Sequence, residues 1–234
     1  MNNRTEVHTY YTARQVRELE RRAIEIHQIA GFVLMQRAAH AALDALRLQW
    51  PDVEQLIIYC GCGNNGGDGF VMAGLAQQEG LKVAVYIFGD IASVKGDALQ
   101  ALEFARAQQV AIHTGSQALL PGAPRTVVVD ALLGTGLAGY VRADFLLAID
   151  AINQSRLPVL AMDIPSGLSS DTGKVLGICV KADLTVTFIG RKMGQVIGAG
   201  PMMCGKVLLA TLAVPAEVYE NIKGVVVSAD FGPP

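Results

Sequence analysis

The sequence predicts an α/β fold with a mostly parallel central sheet covered by helices on both faces. Two observations carry the prediction. From residue 55 onward, short apolar runs alternate with segments of helical spacing, the pattern of βαβ units joined by right-handed crossovers. The run Leu56-Ile57-Ile58-Tyr59-Cys60 then passes through the glycine-rich stretch Gly61 to Gly69 into Phe70-Val71-Met72-Ala73-Gly74-Leu75-Ala76. The residues after the glycines do not alternate, which excludes a hairpin; strand, glycine loop and helix remain.

Taken in order, Thr12 is placed to cap a helix reaching about Gln28, with Val16, Leu19, Ala23, Ile26 and Ala30 at helical spacing. Gly31 breaks it. A second helix, residues 32–48, is rich in alanine and leucine and reads as largely buried; Trp50-Pro51 ends it. These two opening helices are expected to pack on the sheet or serve a subunit contact. Strands are predicted near 55–60, 82–88, 126–130, 158–163, 184–189 and 206–212. Helices are predicted near 67–79, 95–109 and 142–154. No long helical segment separates the strands after Ala182, so the far edge of the sheet is expected to be antiparallel.

At 234 residues the chain reads as one domain over 1–234 with a sizeable core. A composition 51% hydrophobic and 17% charged argues against disorder. The net charge of −2 and the lack of a basic run argue against a nucleic-acid surface. There is neither an apolar run of membrane-spanning length nor an apolar leader, so a cytoplasmic protein is expected. Cys60, Cys62, Cys179 and Cys204 match no zinc spacing and are expected as reduced thiols.

Three predicted strand ends carry polar clusters. The first holds Asn64, Asn65 and Asp68 among the glycines. The second is Asp130-Ala131-Leu132-Leu133-Gly134-Thr135-Gly136-Leu137. The third is Asp163-Ile164-Pro165-Ser166-Gly167. Ligands of open α/β sheets bind outside the carboxyl ends of the strands, so the three clusters are expected to form one site. Gly61, Gly63 and Gly66 also satisfy G-x-G-x-x-G, with Asp90 where a ribose-binding acid would sit. The same glycines fit a plain tight turn with positive φ at Asn65-Gly66. Lys192, just past an apolar run, is a fourth candidate, weighed against an ordinary solvated lysine.

Sharper motifs fail. Gly200 to Lys206 has P-loop spacing, but Val207 stands where serine or threonine is needed. Ser166 lacks the glycine two residues earlier that a nucleophile elbow requires. His8, His27, His40 and His113 fall outside all three clusters, so neither a serine–histidine triad nor histidine-ligated zinc is supported.

Asn-Asn-Gly-Gly-Asp-Gly, Asp-Ala-Leu-Leu-Gly-Thr-Gly-Leu, Asp-Ile-Pro-Ser-Gly-Leu and Thr-Phe-x-x-x-Lys, in that order, resemble the NAD(P)H-hydrate epimerase family, the YjeF N-terminal domain. The likeness runs from Leu34-Met35-Gln36-Arg37-Ala38 to the strand near Val207. It implies a Rossmann-like three-layer α/β/α sandwich. It also implies an isomerase whose substrate is hydrated NADH or NADPH, carrying a hydroxyl at C6 of the nicotinamide ring.

The resemblance assigns substrate contacts to Asn64, Asn65, Gly66, Gly67 and Asp68, to Gly134, Thr135, Gly136, Leu137, Ala138, Gly139 and Tyr140, and to Asp163. It assigns a potassium ion to Asn65, Asp130 and Ser166, an oxygen set suited to an alkali or alkaline-earth cation. A homodimer is implied, and a separate dehydratase, since the chain stops before the dehydratase domain of bifunctional relatives. Cys62 departs from the family pattern; its side chain is expected to point away.

C6 bears both a hydroxyl and N1, so its configuration can invert without loss of a carbon-bound proton, through an iminium or through ring opening. One acid–base group can suffice. Asp163 is the candidate, with Lys192 as charge partner or second proton carrier. Asp163→Asn is expected to leave the fold intact. Arg142 is the arginine nearest either glycine loop, so the phosphates are expected to rest on backbone N–H groups and helix ends. Valine at Gly66 or Gly134 is then expected to block the nucleotide at modest cost in stability. Two rivals are a non-catalytic nucleotide-, protein- or RNA-binding dimer module of the same family and an NAD-dependent dehydrogenase. The first has no need to keep Asn65, Asp130, Asp163 and Ser166 together; the second needs a substrate domain for which the chain is short.

Overall fold

The computed structural model describes residues 7–115 and 124–228. The described residues open with a strand absent from the sequence reading, β1 (Val7–Tyr11). Thr12 then caps α1 (Ala13–Glu25): its hydroxyl accepts from the Gln15 amide and its own amide donates to the Gln15 side chain, a capping box. Val16, Leu19 and Ala23 are buried as their spacing requires, whereas Ile26, one residue beyond the helix, is exposed. Gly31 begins α2 (Gly31–Gln49) rather than ending α1.

The remaining chain runs β2 (Gln55–Cys60), α3 (Asn64–Gln78), β3 (Lys82–Ile87), α4 (Asp97–Ala107), β4 (Ala111–Thr114), β5 (Thr126–Ala131), α5 (Ala143–Gln154), β6 (Val159–Met162), β7 (Leu184–Phe188), β8 (Arg191–Lys192), β9 (Lys206–Ala210) and β10 (Val225–Ser228). The main sheet has the order β4-β3-β2-β5-β6-β7-β9, every pair parallel. The expected antiparallel far edge is therefore wrong. The links from β6 to β7 and from β7 to β9 lack a long helix, but each is long enough to return the chain in parallel, which takes a dozen or more residues and not necessarily a helix. A second sheet, β10-β1-β8, pairs β1 antiparallel to β10 and parallel to β8.

Alternate residues of each central strand face opposite layers. Leu56, Ile58, Cys60, Val127, Val129, Leu160 and Met162 pack with α2, α3 and α4, while Ile57, Tyr59, Val128, Val159 and Ala161 pack with α5. The result is the α/β/α sandwich expected. Strand order reverses between β2 and β5, so the loops leaving their carboxyl ends part and leave a crevice.

The glycines after β2 set how closely α3 meets the sheet. Neither Asn65 nor Gly66 has positive φ; both belong to α3. A Cβ on Gly66 would collide with the Gly61 carbonyl, and one on Gly69 would lie 2.7 Å from both Ala131 Cβ and Cys60 Sγ. The glycines thus serve close helix–sheet approach rather than a turn. No helix among the described residues is long and apolar enough to cross a membrane.

Candidate functional site

The crevice at the strand-order reversal opens into a cleft of about 910 Å³, lined by α1, α2, the loops after β2, β3 and β5, and Asp163. All three polar clusters meet there. Asp130 ends β5 and is fully buried. Its carboxylate accepts the Ser166 amide at 2.8 Å, the Ser166 hydroxyl at 2.6 Å and the Leu132 amide at 3.2 Å. Burial pushes this carboxyl up to about 6, against the opposing hydrogen bonds from Ser166. The Ser166 hydroxyl also accepts the Leu133 amide at 2.9 Å, so the second and third clusters are bonded directly.

Asn65 supplies the first cluster. It stands in the opening turn of α3, behind the Gly63 cap, where helix N–H groups have no intrahelical partner. Both polar atoms of its side chain are buried and have no hydrogen-bond partner among the described residues, an arrangement costing about 1–3 kcal/mol unless something fills it. Gly134 presses on the same side chain: a Cβ there would lie 3.2 Å from Asn65 Cβ and 3.5 Å from its Oδ1. Asp130, Ser166 and Asn65 offer a buried carboxylate, a serine hydroxyl and an orphaned amide oxygen, hard-oxygen donors of the kind that suits an alkali cation.

Asp163 follows β6 in the left-handed region, φ 66°, a conformation aspartate tolerates better than most residues. Its amide still bonds Val186 at 2.8 Å, and the turn brings the carboxylate into the cleft. Lys192 lies behind it with no exposed surface, so the solvated-lysine reading fails. The ammonium group donates to Asp163 Oδ1, to Thr187 Oγ1 at 2.8 Å and to the Phe188 carbonyl at 3.0 Å, which uses all three protons. Asp163 Oδ1 also receives the Phe188 amide at 3.2 Å and the Thr187 hydroxyl at 3.4 Å. Oδ2 has no partner among the described residues.

Several residues in or beside the cleft escaped the sequence reading. Gln195 clamps the ion pair, donating to the Asp163 carbonyl at 3.0 Å and accepting the Lys192 amide at 2.9 Å; its place three residues after Lys192 was the available signal. Arg17 of α1 lines the cleft and reaches the Thr135 carbonyl at 3.4 Å, so Arg142 is not alone beside the glycine loops. Glu20, one turn further on, lines the cleft too. Burial pushes the carboxyls of Glu20 and Asp68 upward, and the charge of Asp163 adds to both.

The remaining candidates take other roles. Asp90 lines the cleft, and its carboxylate also caps a short turn, accepting the Ala92 amide at 3.0 Å. Gly200–Met203 is a four-residue helix leading into β9, not a phosphate loop. None of the four histidines lines the cleft. All four cysteines are free, and the Cys62 thiol is turned onto the Phe88 carbonyl at 3.3 Å.

Comparison with known proteins agrees with this architecture. Over 212 residues the chain is 44% identical to the bifunctional NAD(P)H-hydrate repair enzyme Nnr of Coxiella burnetii, covering 91% of this chain and 43% of that one. It is 33% identical to the NAD(P)H-hydrate epimerase of Legionella pneumophila (strain Paris), covering 85% and 76%, and 35% identical to that of Limosilactobacillus fermentum, covering 85% and 94%. The chain thus spans less than half the length of the bifunctional relative. The crystal structure of yeast ynu0 superposes with a TM-score of 0.78 at 17% identity, over 94% of this chain and 99% of that one, a likeness of fold. Residues 31–194, which hold Asn65, Asp130, Asp163, Ser166 and Lys192, match the family described as YjeF-related protein N-terminus, and the chain belongs to that family.

Proposed function

We propose that the protein is an NAD(P)H-hydrate epimerase, interconverting the S and R forms of NADH and NADPH hydrated at C6. The observation that carries this reading is the seating of Asp163. Its Oδ1 is held by a buried lysine, a threonine and a backbone amide, while Oδ2 is left for a ligand in a cleft of dinucleotide size. The relatives named as epimerases support the same chemistry.

The nicotinamide ring is placed against Asp163 and the pyrophosphate between the start of α3 and the Gly134–Tyr140 loop, where unpaired helix N–H groups and Arg17 offer positive potential. Asp163 moves the proton on or off the C6 oxygen; no carbon-bound proton is touched. Lys192 is a positioning residue. Its three protons are spent, so it holds Asp163 in place and balances its charge but does not shuttle protons.

A potassium ion on Asn65, Asp130 and Ser166 belongs to the same reading, and the orphaned Asn65 amide is what supports it. Such an ion supplies positive charge that offsets the buried Asp130 and draws the ends of the three loops together. A homodimer in the cytoplasm, working beside a dehydratase, completes the proposal.

The decisive experiment incubates the protein with separated S and R hydrates and follows their interconversion by chromatography. Acceleration over buffer supports the reading. Bound nucleotide without interconversion overturns it in favour of a non-catalytic module.

A further inference from the structure

Helix α1 carries three acidic side chains and spends two on its own arginines. Glu18 pairs with Arg21 and Arg22, and Glu25 pairs with Arg21. Glu20 is placed differently. It is half-buried, it lines the cleft, and it makes no hydrogen bond or ion pair among the described residues. It also lies outside the segment matched by the family model. The charges that face it come from every side of the cleft: Asp163 beyond β6, Lys192 of β8, Asp97 of α4, Arg17 of its own helix, and Asp68 of α3, whose carboxyl feels Glu20 in turn.

We infer that Glu20 is a second acid–base residue of this site, handling the proton on the face of the nicotinamide ring that α1 covers while Asp163 serves the other face. The inference rests on the epimerase reading above. Inversion through an iminium handles oxygen twice, once on each face of C6. In one direction Glu20 gives its proton to the departing hydroxyl. The C6–O bond breaks with its electron pair going to oxygen, water is formed, and the N1 lone pair closes the iminium. Water then adds to C6 from the opposite face and passes its surplus proton to the Asp163 carboxylate. The reverse reaction exchanges the two roles, so the pair begins and ends each turnover with one proton and holds none at the iminium, when that proton is on the released water. After each turnover that proton returns from Asp163 to Glu20 by exchange with solvent in the open cleft. Nothing is oxidised or reduced.

Burial raises the Glu20 carboxyl, and the Asp163 charge adds to the rise while Lys192 opposes it. Environments that set two carboxyls apart are how one site keeps an acid beside a base. Were the ring to open instead, one group would suffice and Glu20 would be dispensable.

The test compares Glu20→Gln, Glu20→Asp and, as a control on α1 itself, Glu18→Gln, measuring kcat, KM and melting temperature from about pH 5 to about pH 9. Glu20→Gln is expected to lower kcat on the order of 100-fold or more with KM little changed. The wild-type rate should fall on the alkaline side, where Glu20 loses the proton it has to give, and that limb should vanish in Glu20→Gln. Glu20→Asp should restore part of the rate and Glu18→Gln all of it. A folded Glu20→Gln within about twofold of wild type overturns the inference alone, as does a slow variant that keeps the alkaline limb. Should the glutamine variant unfold, Glu20→Asp decides: its alkaline limb must shift, and an unshifted one overturns the inference. Absence of turnover in the wild type overturns the epimerase reading and this inference with it.

Discussion

Lys192 is buried directly behind Asp163, and the two form an ion pair whose aspartate side chain keeps 14% of its surface while the lysine keeps none. Removing either partner strands the other's charge in a poorly solvated place, a loss of about 3–5 kcal/mol for buried pairs. Asp163→Asn and Lys192→Met are therefore each expected to lower the melting temperature by roughly 6–20 °C in a chain of this size, and both to abolish epimerisation. The expectation that Asp163→Asn spares the fold gives way to this one. The double variant should be more stable than the sum of the two losses allows. Strict additivity in calorimetry would show that the pair is not coupled.

Glycine substitutions should separate fold from binding. Gly66 lies against the Gly61 backbone, which cannot yield, so Gly66→Val should cost about 4 kcal/mol or more. This revises the modest cost expected from sequence. At Gly136 a Cβ would meet no atom within 4 Å. Gly136→Val should thus keep its melting temperature while losing affinity for hydrated NADH by about tenfold, near 1.4 kcal/mol. Titration calorimetry on the folded variant checks this, and unchanged affinity would remove the Gly134–Tyr140 loop from the binding site.

Potassium should stabilise the protein where sodium-free and potassium-free buffers do not. At about 100 times its dissociation constant a bound ion adds about 2.7 kcal/mol, or roughly 5–10 °C. Asn65→Leu separates this from a general salt effect. It removes the orphaned amide, so the metal-free protein should be as stable as wild type or more so, while the response to potassium disappears. A leucine variant that still gains stability from potassium would place the ion elsewhere.

Asp68 gives a pH prediction of definite sign. Burial first, then the charges of Asp163 and Glu20, raise its carboxyl well above 3.8 in the folded protein. The native state keeps a proton that the unfolded chain releases, so stability from this group is full below about pH 3.8 and lost as pH rises toward the raised native value. Asp68→Asn carries no such loss. Its melting temperature should draw ahead of wild type as the pH rises above about 4. Parallel curves from scanning calorimetry would show that Asp68 is not electrostatically strained.

Six of the seven strands of the main sheet and three crossover helices were legible because each is a local pattern of apolar period bounded by turn residues; the edge strand β4, four residues long and only partly buried, was missed. Asn65, Asp130, Asp163 and Ser166 were legible because polar residues at the ends of apolar strands stand out. What stayed hidden depends on partners distant in sequence. The burial of Lys192 follows from Asp163, 29 positions away, and Arg191-Lys192 alone reads as surface. Glu20 stands in a run of charges on an amphipathic helix, and nothing local separates it from Glu18. β1 and β10 are short, and each exists by pairing with the opposite end of the chain.

That last pairing has a consequence for how the protein comes into being. Tyr11 of β1 is in register with Lys192, and Val7 of the same strand is in register with Ser228. The backbone of the site lysine is thus fixed to the first residues described, and those in turn to the last. Contacts of such sequence separation form late and slowly. A growing chain can lay down most of the parallel sheet and still lack a settled Lys192 until β10 has emerged to pair with β1. Removing β1 or β10 should then leave a folded sandwich in which Lys192 is poorly fixed.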